Sequence, residues 1–170
     1  MINNAPRQPG KYHQGLYVPQ NKGKLLKANE KGGVYYRSSW EKKVCIYLDM
    51  NEKVVRWGCE FIEIPYMLTE VKNDIPVSSR HRYYPDFYYE LKKDDGSIKK
   101  VVVEIKPKSE TLPPKAPKQG ATRKQLETFE YGIKMWNKNL SKWQTAISYC
   151  ESKGVEFVIL TEDFINRLKY

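Results

Sequence analysis

The sequence is short of the residues that build soft metal sites and covalent cross-links. Its three cysteines, Cys45, Cys59 and Cys150, are widely spaced in a chain of 170 residues. They form neither a zinc pattern nor a disulfide framework, which points to a reducing compartment. Two histidines, His13 and His81, are too few for a histidine-rich metal centre. No apolar run approaches the roughly 20 residues that span a bilayer, and the N-terminus lacks a signal-peptide apolar region, so no membrane or secretory role is expected. Internal repeats are absent, and the length suits one domain with a real core.

Acidic residues are also in deficit, 20 against 30 Lys and Arg, for a net charge of +10. The excess is local. Residues 1–33 and residues 105–125 each hold six basic residues and one acidic one, and the rest of the chain balances. Both segments are rich in Gly and Pro and poor in apolar periodicity. The first reads as a basic extended arm, residues 1–33, whose Tyr12 and Tyr17 can stack on bases or dock on a partner such as another subunit. The second reads as a basic loop, residues 107–124, inside a domain covering 34–170. Lysines and arginines so placed give sequence-independent affinity for a polyanion; simple solubility is the ordinary alternative.

What the sequence does have is a hairpin. Tyr83-Tyr84-Pro85-Asp86-Phe87 and Val103-Glu104-Ile105-Lys106-Pro107 flank the turn cluster Asp94-Asp95-Gly96-Ser97. The midpoint between Asp86 and Glu104 falls in that turn, so folding there sets the two acids opposite each other at the open end. Alternation puts Lys106 on the same face as Glu104. Glu104 ends the apolar run Val101-Val102-Val103, and a charge so placed needs a partner. Two carboxylates offer oxygen ligands to a hard divalent ion such as Mg²⁺, with Mn²⁺ as a substitute. A lysine beside them can orient water or offset charge on a phosphate.

Around the hairpin, Ser38 followed by Glu41 makes a capping box, and Trp40, Val44, Tyr47 and Leu48 predict an amphipathic helix to about Asn51. Glu41 has two readings, a helix cap or an acid facing the sheet. Val54–Tyr66 reads as strand, with Glu60 solvated, and residues 67–82 as loop. Leu126, Phe129, Ile133 and Trp136 predict a helix that breaks at Asn137–Asn139. Ser141 caps a second helix ending at Gly154. Glu156–Leu160 predicts a buried strand lying parallel beside the hairpin, and Thr161 caps a last helix to Tyr170. The layout is α/β, in the order α-β-β-β-α-α-β-α, a mixed sheet flanked by helices. Expected phosphate contacts are Arg37, Arg80, His81, Arg82, Lys108, Lys115, Lys118, Arg123, Lys124 and Lys142.

These residues carry a resemblance. A helix with an early Glu, then Pro-Asp, then Glu-x-Lys, then helix and strand resembles the PD-(D/E)xK, restriction-endonuclease-like nucleases. Tyr36-Arg37-Ser38-Ser39-Trp40-Glu41, Tyr84-Pro85-Asp86-Phe87 and Glu104-Ile105-Lys106-Pro107 are similar to the head-completion nucleases of large contractile-tailed phages. The resemblance implies a restriction-endonuclease-like fold, with Asp86 and Glu104 as metal ligands and Lys106 as the catalytic lysine. Glu41 is then a further acid of the site. It also implies a Mg²⁺-dependent DNA endonuclease acting in the host cytoplasm during head completion and meeting portal or neck proteins. Two rivals stand beside it: a non-catalytic head-closure or neck protein that keeps the fold, and a host-side nuclease of transposase or restriction type.

Overall fold

The valine run before Glu104 becomes the centre of the protein. In the computed structural model, which describes residues 13–169, the elements in chain order are β1 (Gly15–Tyr17), β2 (Val34–Tyr36), α1 (Ser39–Met50), β3 (Val54–Cys59), β4 (Ile64–Lys72), β5 (Ile75–Tyr83), β6 (Phe87–Lys92), β7 (Ile98–Ile105), α2 (Arg123–Glu151), β8 (Glu156–Leu160) and α3 (Glu162–Ile165). The main sheet has the order β3-β6-β7-β8. The first three strands are antiparallel neighbours, and β8 joins β7 in parallel. This is the mixed sheet, flanked by helices, of the restriction-endonuclease-like class.

Strand alternation divides the core into two layers. Val101 and Val103 point to one face, where they pack with Val44, Cys45 and Leu48 of α1, Trp57, Phe87, and Ile165 of α3. Val102 points to the other, beside Tyr88 and Cys150. On that side Trp143 and Ala146 of α2 cover Ile64, Tyr66, Leu68 and Tyr83. The β6–β7 register pairs Phe87 with Val103 and Lys92 with Ile98. Continued by one pair, it sets Asp86 against Glu104, on the α2 face with Val102.

Four local expectations change. Residues 67–82 are not a loop: β4 and β5 pair along their whole length, from Ile64 with Tyr83 to Lys72 with Ile75. Asn73 and Asp74 turn the chain with positive φ of 49° and 62°, the left-handed geometry of a two-residue hairpin turn. Nor does the long helix break at Asn137–Asn139. It runs unbroken over 29 residues, because Asn costs a helix well under about 1 kcal/mol and Asn139 and Trp143 are buried there. Ser141 bonds back to the Asn137 carbonyl at 3.0 Å instead of capping. The last helix is a single turn, Glu162–Ile165.

The fourth change concerns the N-terminal segment. Residues 1–12 lie outside the described residues, but 13–33 are built into the domain. β1 pairs with β2, Leu26 N donates to the Trp57 carbonyl at 2.8 Å, and Tyr17 and Leu25 pack on the core. Their anchor is Asp49, fully buried at the end of α1. Its carboxylate accepts from Tyr17 Oη at 2.8 Å, Gln20 N at 2.8 Å and Asn21 N at 3.0 Å. Lys24 Nζ donates to the Asp49 and Asn51 carbonyls, each at 2.9 Å.

Candidate active site

The open end of the β6–β7 hairpin gathers charge where a core would normally exclude it. Pro85 is buried and fixes the chain entering β6. Asp86 is then held by backbone at both its ends. Ile105 N donates to its carboxylate at 2.6 Å, and its carbonyl accepts from Glu60 N at 3.0 Å. Glu104 is 5% exposed. Tyr83 Oη donates to its Oε2 at 2.7 Å, and Lys106 Nζ lies 3.3 Å from its Oε1. Lys106 N in turn donates to the Leu160 carbonyl at 3.0 Å, so β8 fixes the backbone that carries the lysine.

This corner disfavours an ionised Asp86. Burial pushes the Asp86 carboxyl well above the usual carboxylate range, and the negative charges of Glu104 and Glu41 add to it. The Ile105 N–H and the Lys106 ammonium oppose that rise without cancelling it. Burial, and then the Glu104 carboxylate, likewise raise the Tyr83 phenol, so Tyr83 stays a proton donor to Glu104. A second ammonium stands over this corner. Lys142 Nζ, from α2, sits 5.3 Å from the Tyr83 ring centroid, a cation–π contact. Its pKa is lowered by burial and by Lys138 and Lys106, against the pull of Glu104 and Asp86.

The expected residues therefore separate into groups. Asp86, Glu104, Lys106 and Lys142 come together, the last carried there by α2. Glu41 stands nearby but is occupied. Its Oε2 accepts from Arg37 N at 2.7 Å and its Oε1 from Ser38 Oγ at 3.0 Å, while its own N–H donates to Ser38 Oγ at 3.1 Å. The reciprocal cap reaches Arg37, one residue before the expected one. Among the described residues no three acidic, His or Cys side chains converge on one point as a ready metal cage. Glu60 is not solvated: it takes a φ of 45°, and its carboxylate, 14% exposed, pairs with Arg37 at 2.6 Å.

The remaining basic residues lie further out. Arg80 is exposed on β5. His81 Nε2 is 2.8 Å from Ser79 Oγ, with its ring 5.5 Å from that of Tyr66. Arg82 approaches Glu63 at 3.7 Å. Lys108 is tied to the C-terminal turn, its N–H to Glu162 at 2.8 Å and its Nζ to Asp163 at 2.7 Å. Arg123 pairs with Glu127 at 2.8 Å, whereas Lys115, Lys118 and Lys124 are exposed. No described helix is long and apolar enough to cross a membrane.

Sequence reasoning missed one residue that touches the acid pair, Tyr83, and one structural anchor, Asp49. Tyr83 had a signal, since it ends a strand three residues before Asp86. Asp49 had none, because an acid near the end of an amphipathic helix reads as solvated.

Comparison with known proteins gives the family of the chain. A family model described as TnsA-like endonuclease N terminal matches residues 51–162, a span that includes Asp86, Glu104, Lys106 and Lys142 and leaves out Glu41. Over 158 residues the chain is 34% identical to the head completion nuclease of Enterobacteria phage T4, covering 93% of this chain and 97% of that one. A buried acid pair with its lysine at the hairpin mouth, on a mixed sheet matched by that family model, places the chain in the TnsA-like, restriction-endonuclease-like family of nucleases.

Proposed function

We propose that the protein is a divalent-metal-dependent DNA endonuclease acting in phage head completion after genome packaging, in the infected host cell, with portal or neck proteins as assembly partners. The observation that carries this reading is the juxtaposition of Asp86, Glu104 and Lys106 in a chain 34% identical to a head completion nuclease.

The donor set fits a hard cation. Two carboxylates face each other across β6 and β7, and burial, then the charge of Glu104, already disfavours ionised Asp86. Asp86 and Glu104 are the residues that would hold Mg²⁺ or Mn²⁺. Such an ion supplies Lewis-acid chemistry, making water a better nucleophile at neutral pH and offsetting charge on phosphate oxygens. The chain's own groups do the rest. Tyr83 and Lys106 fix the two oxygens of Glu104 from opposite sides. Lys106 Nζ, only 25% exposed, orients the attacking water or a phosphate oxygen. Lys142 adds positive charge where the pentacovalent phosphorus gains negative charge. Water attacks phosphorus and the bond to the leaving oxygen breaks; the attacking water gives a proton to solvent, and the leaving oxygen takes one from solvent. Glu41 enters as a helix cap whose charge faces Asp86.

The test is incubation of purified protein with supercoiled plasmid in Mg²⁺ or Mn²⁺, with and without chelator. Nicked or linear product only when the metal is free supports the reading. Intact plasmid in every lane, with DNA still bound, favours the structural head-closure alternative.

A further inference from the structure

The face of α2 that presents Lys142 continues away from the site. Tyr131, Asn139 and Lys142 share one stripe of the helix, and the first two line a groove of about 410 Å³. Trp136 lines it too, Leu112 and Pro114 of the basic loop close the opposite wall, and Lys106 also contributes to the lining. The loop comes this close because residue 132 is glycine: a Cβ there would lie 3.3 Å from Pro114 Cγ. The groove thus shares Lys106 with the candidate active site.

Its lining is mixed in a specific way. Tyr131 is 65% exposed and Leu112 58%, so ring and aliphatic surface face water. Asn139 is only 8% exposed, and what it exposes lines the groove. Its amide atoms are not among the buried polar atoms left without a partner, so the amide meets water there and is open to a ligand. An apolar occupant would cover the aromatic surface and leave that amide unmet. A phosphate would satisfy Lys106 and waste the rings. A flat heteroaromatic ring with donors and acceptors on its edge meets both, and the volume lies within the range of about 300–1,000 Å³ typical of small-ligand pockets.

We propose that this groove receives an unpaired nucleobase from the strand whose phosphate lies at Lys106, so that single-stranded or frayed DNA ends are preferred over intact duplex. The proposal rests on the nuclease reading above and gives it a substrate class. Tyr131 and Trp136 supply stacking surface, which tolerates any base. Asn139 offers one donor and one acceptor to the base edge, an edge that a paired base has already committed to its complement. Exposed Lys115 and Lys118, on the loop that walls the groove, extend the positive charge along the path of the strand.

The experiment uses the full chain in chelator and a duplex with a short single-stranded overhang. The fluorescent base 2-aminopurine is placed in turn at each unpaired position and at a paired one. Strong quenching on binding is expected at one unpaired position and not at the paired one. Tyr131→Ala should lose that quenching several-fold, while Tyr131→Phe, which keeps the ring, retains it. With Mg²⁺ restored, an abasic sugar at the same position should slow cleavage several-fold in the parent, and that ratio should move toward one in Tyr131→Ala. Absence of quenching at every unpaired position overturns the proposal and leaves the groove to a protein side chain; so does equal quenching in parent and Tyr131→Ala. Quenching without cleavage of any DNA keeps the groove and removes the nuclease reading, whereas cleavage without quenching does the reverse.

Discussion

Two aspartates of this protein are withdrawn from water, and they are treated in opposite ways. Asp49 is fully buried and receives three donors on its carboxylate. Asp86 receives one backbone N–H and faces a second carboxylate. The first is a finished structural joint that ties residues 17–24 to α1. The second lies beside another acid, and burial first, then the Glu104 and Glu41 charges, drive its carboxyl up against the pull of the Ile105 N–H and the Lys106 ammonium. Burial of an acid is thus a poor guide to function; the deficit of donors around it is the better one.

The sharpest way to break this contrast is to remove charge without changing shape. Asp86→Asn and Glu104→Gln should each lower plasmid cleavage by orders of magnitude while the protein stays folded. Asp86→Asn should also be more stable than the parent near neutral pH in chelator, with a defined pH dependence. A carboxyl whose folded pKa is raised loses stability as pH rises from its unfolded value through its folded one. The parent's penalty is therefore absent in acid and complete above the folded pKa, and the Asn variant lacks it. Thermal melts of both proteins across that range check the sign, and added Mg²⁺ should stabilise the parent more than the variant.

Asp49→Ala should do the reverse. It strands three donors in a buried place and should cost about 3–5 kcal/mol of stability, visible as a lowered denaturation midpoint. Cleavage measured well below the new melting temperature should remain near the parent's. A cold, folded Asp49→Ala protein that cannot cut would make the two aspartates one system.

Between these extremes lies Tyr83→Phe, which removes only the hydroxyl that orients Glu104. A group fixing a metal-ligating carboxylate is typically worth about 10–100-fold in metal affinity or activity. The measurement is the Mg²⁺ concentration giving half-maximal cleavage, expected to rise. Ring packing and the cation–π contact with Lys142 stay in place, so stability should change little.

The smallest effect is expected at Glu41. Its oxygens serve the cap, and a Gln oxygen can still accept one of those bonds. Glu41→Gln should cost roughly 0.3–1 kcal/mol through the helix dipole and leave cleavage near normal. A clear drop, with more Mg²⁺ required, would bring Glu41 into the metal site.

The sequence made the acid pair legible because a hairpin register is an arithmetic property: a turn cluster and a two-residue period fix which residues oppose. The α1 boundaries were legible for a similar reason, since Ser38 and Glu41 signal a local cap. What could not be read depends on contacts distant in the chain. β5 carries Ser78, Ser79, Arg80 and Arg82, with too little apolar alternation to look like a strand; it exists because β4 pairs with it along nine residues. Asn137–Asn139 looked like a break because local preference knows nothing of Trp143 packing beneath it. The basic N-terminal segment looked like a free arm because its few apolar anchors, Tyr17 and Leu25, have no period. Lys142 stands over Tyr83 on a helix that continues past Asn139 without a break.

The parallel strand β8 has a consequence for how the protein is made. The sheet position beside Glu104 and Lys106 is filled by residues 156–160, which follow both of them in the chain, and the helix that carries Lys142 must already have crossed the sheet to bring them there. Until then β7 is an open edge, the Lys106 backbone lacks its bond to Leu160, and the acid pair has no rigid support. A chain made as far as Lys142 therefore carries every residue of the charged cluster and not yet the cluster itself, so the corner is assembled only after residues 156–160 have joined the sheet.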